Sequence, residues 1–174
     1  MHFLNIFCIF ALNNIAHLQH IISDMKYKGS QFEYKEERDA DLLRAYHEII
    51  SVMGNISMPE VAAKIAATPS KRFWVSEERA DIIVSRLLKG KSISNMTPTK
   101  QAMFHEIYHR YLDMKKANPS LAKKDIIFKV CNEQAPRFYL TTKSILVLLH
   151  KARKEEKERC YERRKKRLRF MFGI

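Results

Sequence analysis

The sequence predicts an all-α protein built from two tandem three-helix modules and a long basic C-terminal helix. Three observations predict it. Apolar residues recur at helical spacing along most of the chain after residue 38. Turn formers are scarce, with 4 Gly and 5 Pro in 174 residues, which argues against a many-turned β architecture. The chain also repeats itself: shifted by 65 residues without a gap, residues 38–89 fall on 103–154.

The repeat rests on identities such as Tyr46/Tyr111, Lys64/Lys129, Arg72/Arg137 and Phe73/Phe138. Conservative matches surround them, among them Leu42/Ile107, Glu48/Asp113, Ile56/Leu121 and Val61/Ile126. The clearest run sets Arg72-Phe73-Trp74-Val75-Ser76 over Arg137-Phe138-Tyr139-Leu140-Thr141.

In the first copy, Leu42, Leu43, Tyr46, Ile49, Ile50 and Met53 form one helical stripe. Ser57-Met58-Pro59-Glu60 reads as a capping box with proline in the first turn. Val61, Ala62, Ile65 and Ala66 give the second helix its apolar face, and Thr68-Pro69 breaks it. Phe73-Trp74-Val75 is a short extended piece, and Ser76 caps a third helix with Ala80, Ile83, Val84, Leu87 and Leu88 inside. Gly90 ends that helix. The second copy repeats the plan with stripes at Phe104, Ile107, Tyr108, Tyr111 and Met114, then Ile126, Ile127 and Val130, then Ile145, Leu148 and Leu149. Expected boundaries are 30–90 for module 1, 99–155 for module 2 and 156–174 for the basic tail, with a linker over 90–99.

Residues 1–24 form a separate apolar segment without Lys or Arg. They lack the basic start and small-residue cleavage site of a secretory signal, and polar residues interrupt them too often for a membrane span. The charged text begins at Met25, so the expectation is a mis-assigned start with Met25 as the initiator; an extra packing helix comes next. Three widely spaced cysteines form no disulfide framework and no C-x-x-C pair, which predicts a reducing, cytoplasmic setting.

With 46% hydrophobic residues the chain can bury a core. It carries 32 Lys+Arg against 19 Asp+Glu, a formal +13, which points to a polyanionic partner. The glycine-rich fingerprints of nucleotide-binding loops are absent.

The elements Ser70-Lys71-Arg72-Phe73-Trp74-Val75-Ser76 and Ala135-Pro136-Arg137-Phe138-Tyr139-Leu140-Thr141 resemble a P-x-R-F-[WY]-V-S element of short helix-turn-helix-like proteins from bacterial mobile elements and phages. The resemblance covers roughly residues 30–155, and in the first copy Pro69 stands two residues early. It implies small helix-turn-helix-like modules linked to nucleic acid, with no catalytic residue. The gap from Ala67 to Ser76 is longer than an ordinary helix-turn-helix turn.

Charge distinguishes the copies. Residues 38–89 hold 8 basic and 7 acidic side chains, and residues 103–154 hold 11 and 4. The third helix of copy one opens with Glu77-Glu78, which repels phosphate; that of copy two opens with Thr141, Thr142 and Lys143. Copy two is therefore the expected reader of DNA, with module 1 a packing or self-association face. Lys151, Arg153, Lys154 and the run Arg163, Arg164, Lys165, Lys166 and Arg167 are the expected phosphate contacts. Arg72 and Arg137 are read as structural, paired with the repeat-matched acids Glu48 and Asp113.

His105-Glu106-Ile107-Tyr108-His109 matches the H-E-x-x-H zinc-protease pattern, with Glu133 a conceivable third ligand. It lies on an ordinary repeat helix, no sheet is expected to shape a cleft, and the third His of the longer motif is missing. The expectation is a non-enzymatic DNA-binding protein, a regulator or accessory factor of a mobile element, with no cofactor, no metal and no small-molecule substrate. A helical scaffold with a nucleic-acid-binding tail is the alternative, and a zinc metalloprotease a remote one.

Overall fold

A computed structural model describes residues 34–173. The segment 1–24 and the expected start at Met25 lie outside the described residues. Among those described there are six α-helices and no strand: α1 (Lys35–Met53), α2 (Met58–Ala67), α3 (Glu77–Leu88), α4 (Pro98–Ala117), α5 (Lys123–Asn132) and α6 (Thr142–Phe172). The described part of the chain is all-α. The 65-residue shift carries α2 onto α5 residue for residue, and the first residue of α3 onto the first of α6.

Local sequence sets the ends. The Glu60 carboxylate accepts from the Ser57 N–H at 3.1 Å and from its hydroxyl at 2.7 Å, opening α2 with Pro59 in its first turn. Ser76 Oγ accepts from the Arg79 N–H at 3.4 Å, and Thr141 Oγ1 from the Ser144 N–H at 3.2 Å, so equivalent hydroxyls cap α3 and α6. Gly90, at φ 68°, stops the chain just after α3.

The helices do not pack in the order in which they follow one another. One core gathers Leu42 and Tyr46 of α1, Val61 and Ile65 of α2, and Ile145, Leu149 and Ala152 of α6. The other gathers Ala80, Ile83 and Val84 of α3, Phe104, Ile107 and Tyr111 of α4, and Ile126, Ile127 and Val130 of α5. The third helix of each copy therefore sits on the first two helices of the other copy. Sequential modules at 30–90 and 99–155 do not describe this grouping. The α3–α4–α5 core is contiguous, from Phe73 to Tyr139, and is inserted between α2 and α6. Residues 90–99 join it too, through buried Ile93 and partly buried Met96.

The segments that cross between the cores explain the exchange. Phe73 and Val75 enter the α3–α5 core, whereas Trp74 packs on the other. Phe138 and Leu140 enter the α1–α2–α6 core, whereas Tyr139 turns to the other. Both crossovers turn at their middle aromatic: the Val75 N–H donates to the Phe73 carbonyl at 2.8 Å around Trp74, and Tyr139 stands at φ 51°, so each aromatic leaves on the side opposite to its two neighbours. A stretch with three apolar residues in succession is satisfied when it runs between two cores, and each copy has one such stretch.

Candidate nucleic-acid interface

Two charged clamps fix the crossovers that deliver α3 and α6. Asp41 is 0% exposed and accepts from Arg44 at 2.7 and 2.9 Å and from the Lys71 N–H at 2.9 Å. Arg44 also donates to the Pro69 carbonyl at 3.3 Å and pairs with Glu48 at 2.9 Å. In the second copy Arg110 donates to Glu106 and to the Gln134 carbonyl, each at 2.9 Å, and to Glu133 at 3.1 Å. Asp41 and Glu106 are repeat equivalents, as are Pro69 and Gln134; the arginine has moved by one position. Each arginine holds the same carbonyl at the entrance to a crossover.

The expected pairing of Arg72 with Glu48 is replaced. Arg72 binds Glu77 at 2.9 Å and stacks over the Tyr34 ring at 4.0 Å, while Glu48 is taken by Arg44 one turn before it on α1. Burial opposes the ionisation of Glu77. Bonds from the Tyr34 hydroxyl, its own backbone and Arg72 outweigh that and hold its carboxyl below the ordinary value. Arg137 is exposed and lies 4.8 Å over the Tyr139 ring; its expected partner Asp113 is exposed on α4. Tyr139, at φ 51°, is the one non-glycine residue with positive φ among those described, and its ring stacks on Phe73 at 6.0 Å.

The expected reading residues separate into two groups along α6. Thr141 is occupied as the cap and shares a 2.8 Å bond with the Ser144 hydroxyl. Thr142 is half-buried. Arg153 faces inward, over the Tyr46 ring at 4.7 Å and against Met58 Sδ at 3.9 Å. Lys143, Lys151 and Lys154 point to solvent. Ser144, Val147 and His150 share that outward face, and residue type alone did not single them out. The helical period does: they lie at the spacings left over once Ile145, Leu149 and Ala152 are assigned inward.

No Asp or Glu occurs from Thr141 to Lys154, so the lysines of this part of the outer face have no carboxylate among them; Glu158, one turn further on, lies 3.9 Å from Lys154. His150, Arg153, Lys154 and Lys157 line a shallow depression of about 330 Å³. Glu155 then anchors the helix to the start of α1 by a 2.9 Å pair with Lys35. That bond holds the Glu155 carboxyl below, and the Lys35 ammonium above, their ordinary values. Beyond Glu156, residues 157–172 are exposed on every side, including Arg163, Arg164, Lys165, Lys166 and Arg167.

The corresponding face of α3 differs. Glu78, Arg79 and Ile82 are exposed there, and Asp81 pairs with Lys123 of α5 at 2.7 Å. Lys123 Nζ also donates to the Ser85 hydroxyl.

His105 and His109 are exposed on α4. The two acids a zinc enzyme would draw on, Glu106 as base and Glu133 as third ligand, are both bound by Arg110. Among the described residues no group of three His, Cys, Asp or Glu side chains is placed to hold a metal ion, and no helix is long and apolar enough to cross a membrane.

What this arrangement offers chemically is a helix anchored by its apolar face, with Lys143, Lys151 and Lys154 on an outer face that also carries Ser144, Val147 and His150. Comparison of the chain with protein-family models, curated proteins and solved structures finds no match.

Proposed function

We propose that the protein is a non-enzymatic DNA-binding protein that lays the outer face of α6 on double-stranded DNA, with residues 157–172 adding phosphate contacts. The observation that carries this reading is the face of Lys143, Ser144, Val147, His150 and Lys151, which holds no carboxylate; Lys154 closes it, 3.9 Å from Glu158. In this reading α2 and α6 act together as the two helices of a helix-turn-helix, assembled in space across the inserted core. The long gap after Ala67 is then a crossover and not the turn of the motif. A role as regulator or accessory factor of a mobile element follows from the resemblance of the two crossover segments.

The test is a titration of duplex DNA at several salt concentrations, with and without Lys143→Ala, Lys151→Ala and Lys154→Ala together. Each phosphate that the variant no longer neutralises lowers the salt slope by about 1. An unchanged slope in the triple variant, with binding abolished only on removal of 157–172, would instead favour a helical scaffold that touches nucleic acid through its tail alone.

A further inference from the structure

Between Thr142 and Lys154 the outer face of α6 holds one exposed apolar residue. Val147 is 56% exposed at the centre of a face whose other members, Lys143, Ser144, His150, Lys151 and Lys154, are polar or basic. Ile145 and Leu149, two residues before and after it, are fully buried, so the helix cannot roll to hide it. Valine in a helix has one strongly preferred side-chain rotamer, so its methyl groups are held in a fixed direction. The repeat places Ile82 at the same position of α3, and Ile82 is 52% exposed. An exposed β-branched apolar residue thus recurs in both copies as the sixth residue of the third helix.

In the major groove, the apolar feature offered by a base pair is the 5-methyl group of thymine. Lysines one turn to either side of Val147 are placed to meet the flanking phosphates, which would hold the valine against the base edges. Resting on the DNA-binding reading above, we infer that Val147 is a specificity-determining residue that packs against a thymine methyl, so the preferred site carries a thymine opposite the second turn of α6. Ser144 and His150 flank it and supply hydrogen-bonding groups for the neighbouring base edges. Ile82 lies one turn from exposed Glu78, whose charge disfavours the same approach by α3.

The experiment uses the full chain and a duplex selected from a random pool by the protein itself. Each thymine in the bound site is replaced in turn by uracil, which removes only the 5-methyl group. Removing one buried methyl group weakens binding by about fourfold. The expected result is such a loss at one central thymine for the wild-type chain, and equal affinity for the thymine and uracil duplexes in Val147→Ala. Val147 is exposed, so this variant keeps its fold, checked by an unchanged melting temperature; Ile82→Ala should leave the discrimination intact. Duplex binding with no thymine preference, or a preference that survives Val147→Ala, overturns the inference while leaving DNA binding in place. No duplex binding even at low salt overturns the DNA-binding reading itself.

Discussion

Ser70 and Ala135, 65 residues apart, face each other as an isolated antiparallel pair and exchange both backbone hydrogen bonds at 3.0 Å. They are equivalent positions of the internal repeat, so the contact is that of a residue with its own counterpart. Such self-pairing is what a two-fold axis requires. The chain is organised around a pseudo-dyad at this pair, and on either side of it one crossover leads a third helix onto the opposite core. A single chain thus has the layout of a dimer that has exchanged its last helix.

This layout predicts which fragments fold. Residues 70–141 contain every buried member of the α3–α4–α5 core, from Phe73 to Tyr139. Residues 34–92 contain α1 and α2 without α6, and α3 without α4 and α5. The first fragment should melt cooperatively as a monomer. The second should be unfolded, or associate by exchanging α3 between chains. A cooperatively folded monomer of 34–92 would show that α3 can return to its own copy, and the exchange would not be a property of the sequence.

Asp41 carries a second expectation. Its buried carboxylate serves Arg44 and the Lys71 N–H, and its removal leaves a guanidinium and a backbone donor without their acceptor. Breaking a fully buried pair costs about 3–5 kcal/mol. The Arg44 side chain is 33% exposed, and solvent screens part of that loss. Asp41→Ala should therefore lower stability by about 2–3 kcal/mol in urea denaturation. A change below about 1 kcal/mol would mean that the crossover is held by its apolar residues alone.

Helix type, caps and the repeat were legible in the residues because each depends on near neighbours. Ser57 and Glu60 specify their own capping box, and Ser76 and Thr141 cap at matching places. The exchange of third helices was not legible from periodicity. Ala80, Ile83 and Val84 present the same pattern as Ile145, Leu148 and Leu149, so either helix suits either groove. A hint lay in the three consecutive apolar residues of each crossover, which one core alone would leave half exposed. The pairing of Arg72 with Glu48 failed for a related reason: repeat spacing matched acid to base, while Arg44 stood closer to that acid. On α6, the outward lysines followed from the helical period, but Arg153 followed its long aliphatic stem inward onto Tyr46.

The described cysteines should differ in reactivity. Cys131 is a buried residue of α5, and burial pushes its thiol up to about 12; Cys160 is exposed on α6. A thiol with that value is ionised in about one molecule in ten thousand at pH 8. Native protein should therefore label at Cys160 and not at Cys131 until it is denatured, as peptide mapping after alkylation will show. The sign of the stability effect follows. The folded value lies above the reference of 9.0, so the contribution is whole below pH 9 and is lost as pH rises from there towards 12. Fast native labelling of Cys131 at pH 8 would contradict its burial.

The last prediction separates the tail from the body of α6. Ala152 is the last buried residue of the chain's described part, and Glu155 and Glu156 are the last residues of α6 that meet side chains of α1, Lys35 at 2.9 Å and His47 at 3.9 Å. Residues 157–172 make no contribution to either core, so a chain ending after Glu156 should melt at the same temperature as the full one. Those residues nevertheless carry 8 Lys or Arg against 2 Glu. An isolated helix of this length is marginal in water, and an anionic surface along its basic side would order it. In the DNA-binding reading, removing it frees several phosphates at once. Affinity should fall for matched and scrambled duplexes alike, and the salt slope should flatten by about 1 for each phosphate freed. The thymine preference attributed to Val147 should survive, because that face lies within the part of α6 held by the core. A truncated chain that binds with an undiminished salt slope would place the phosphate-binding groups elsewhere on the protein. One that loses its melting transition would show that the exposed helix supports the fold after all.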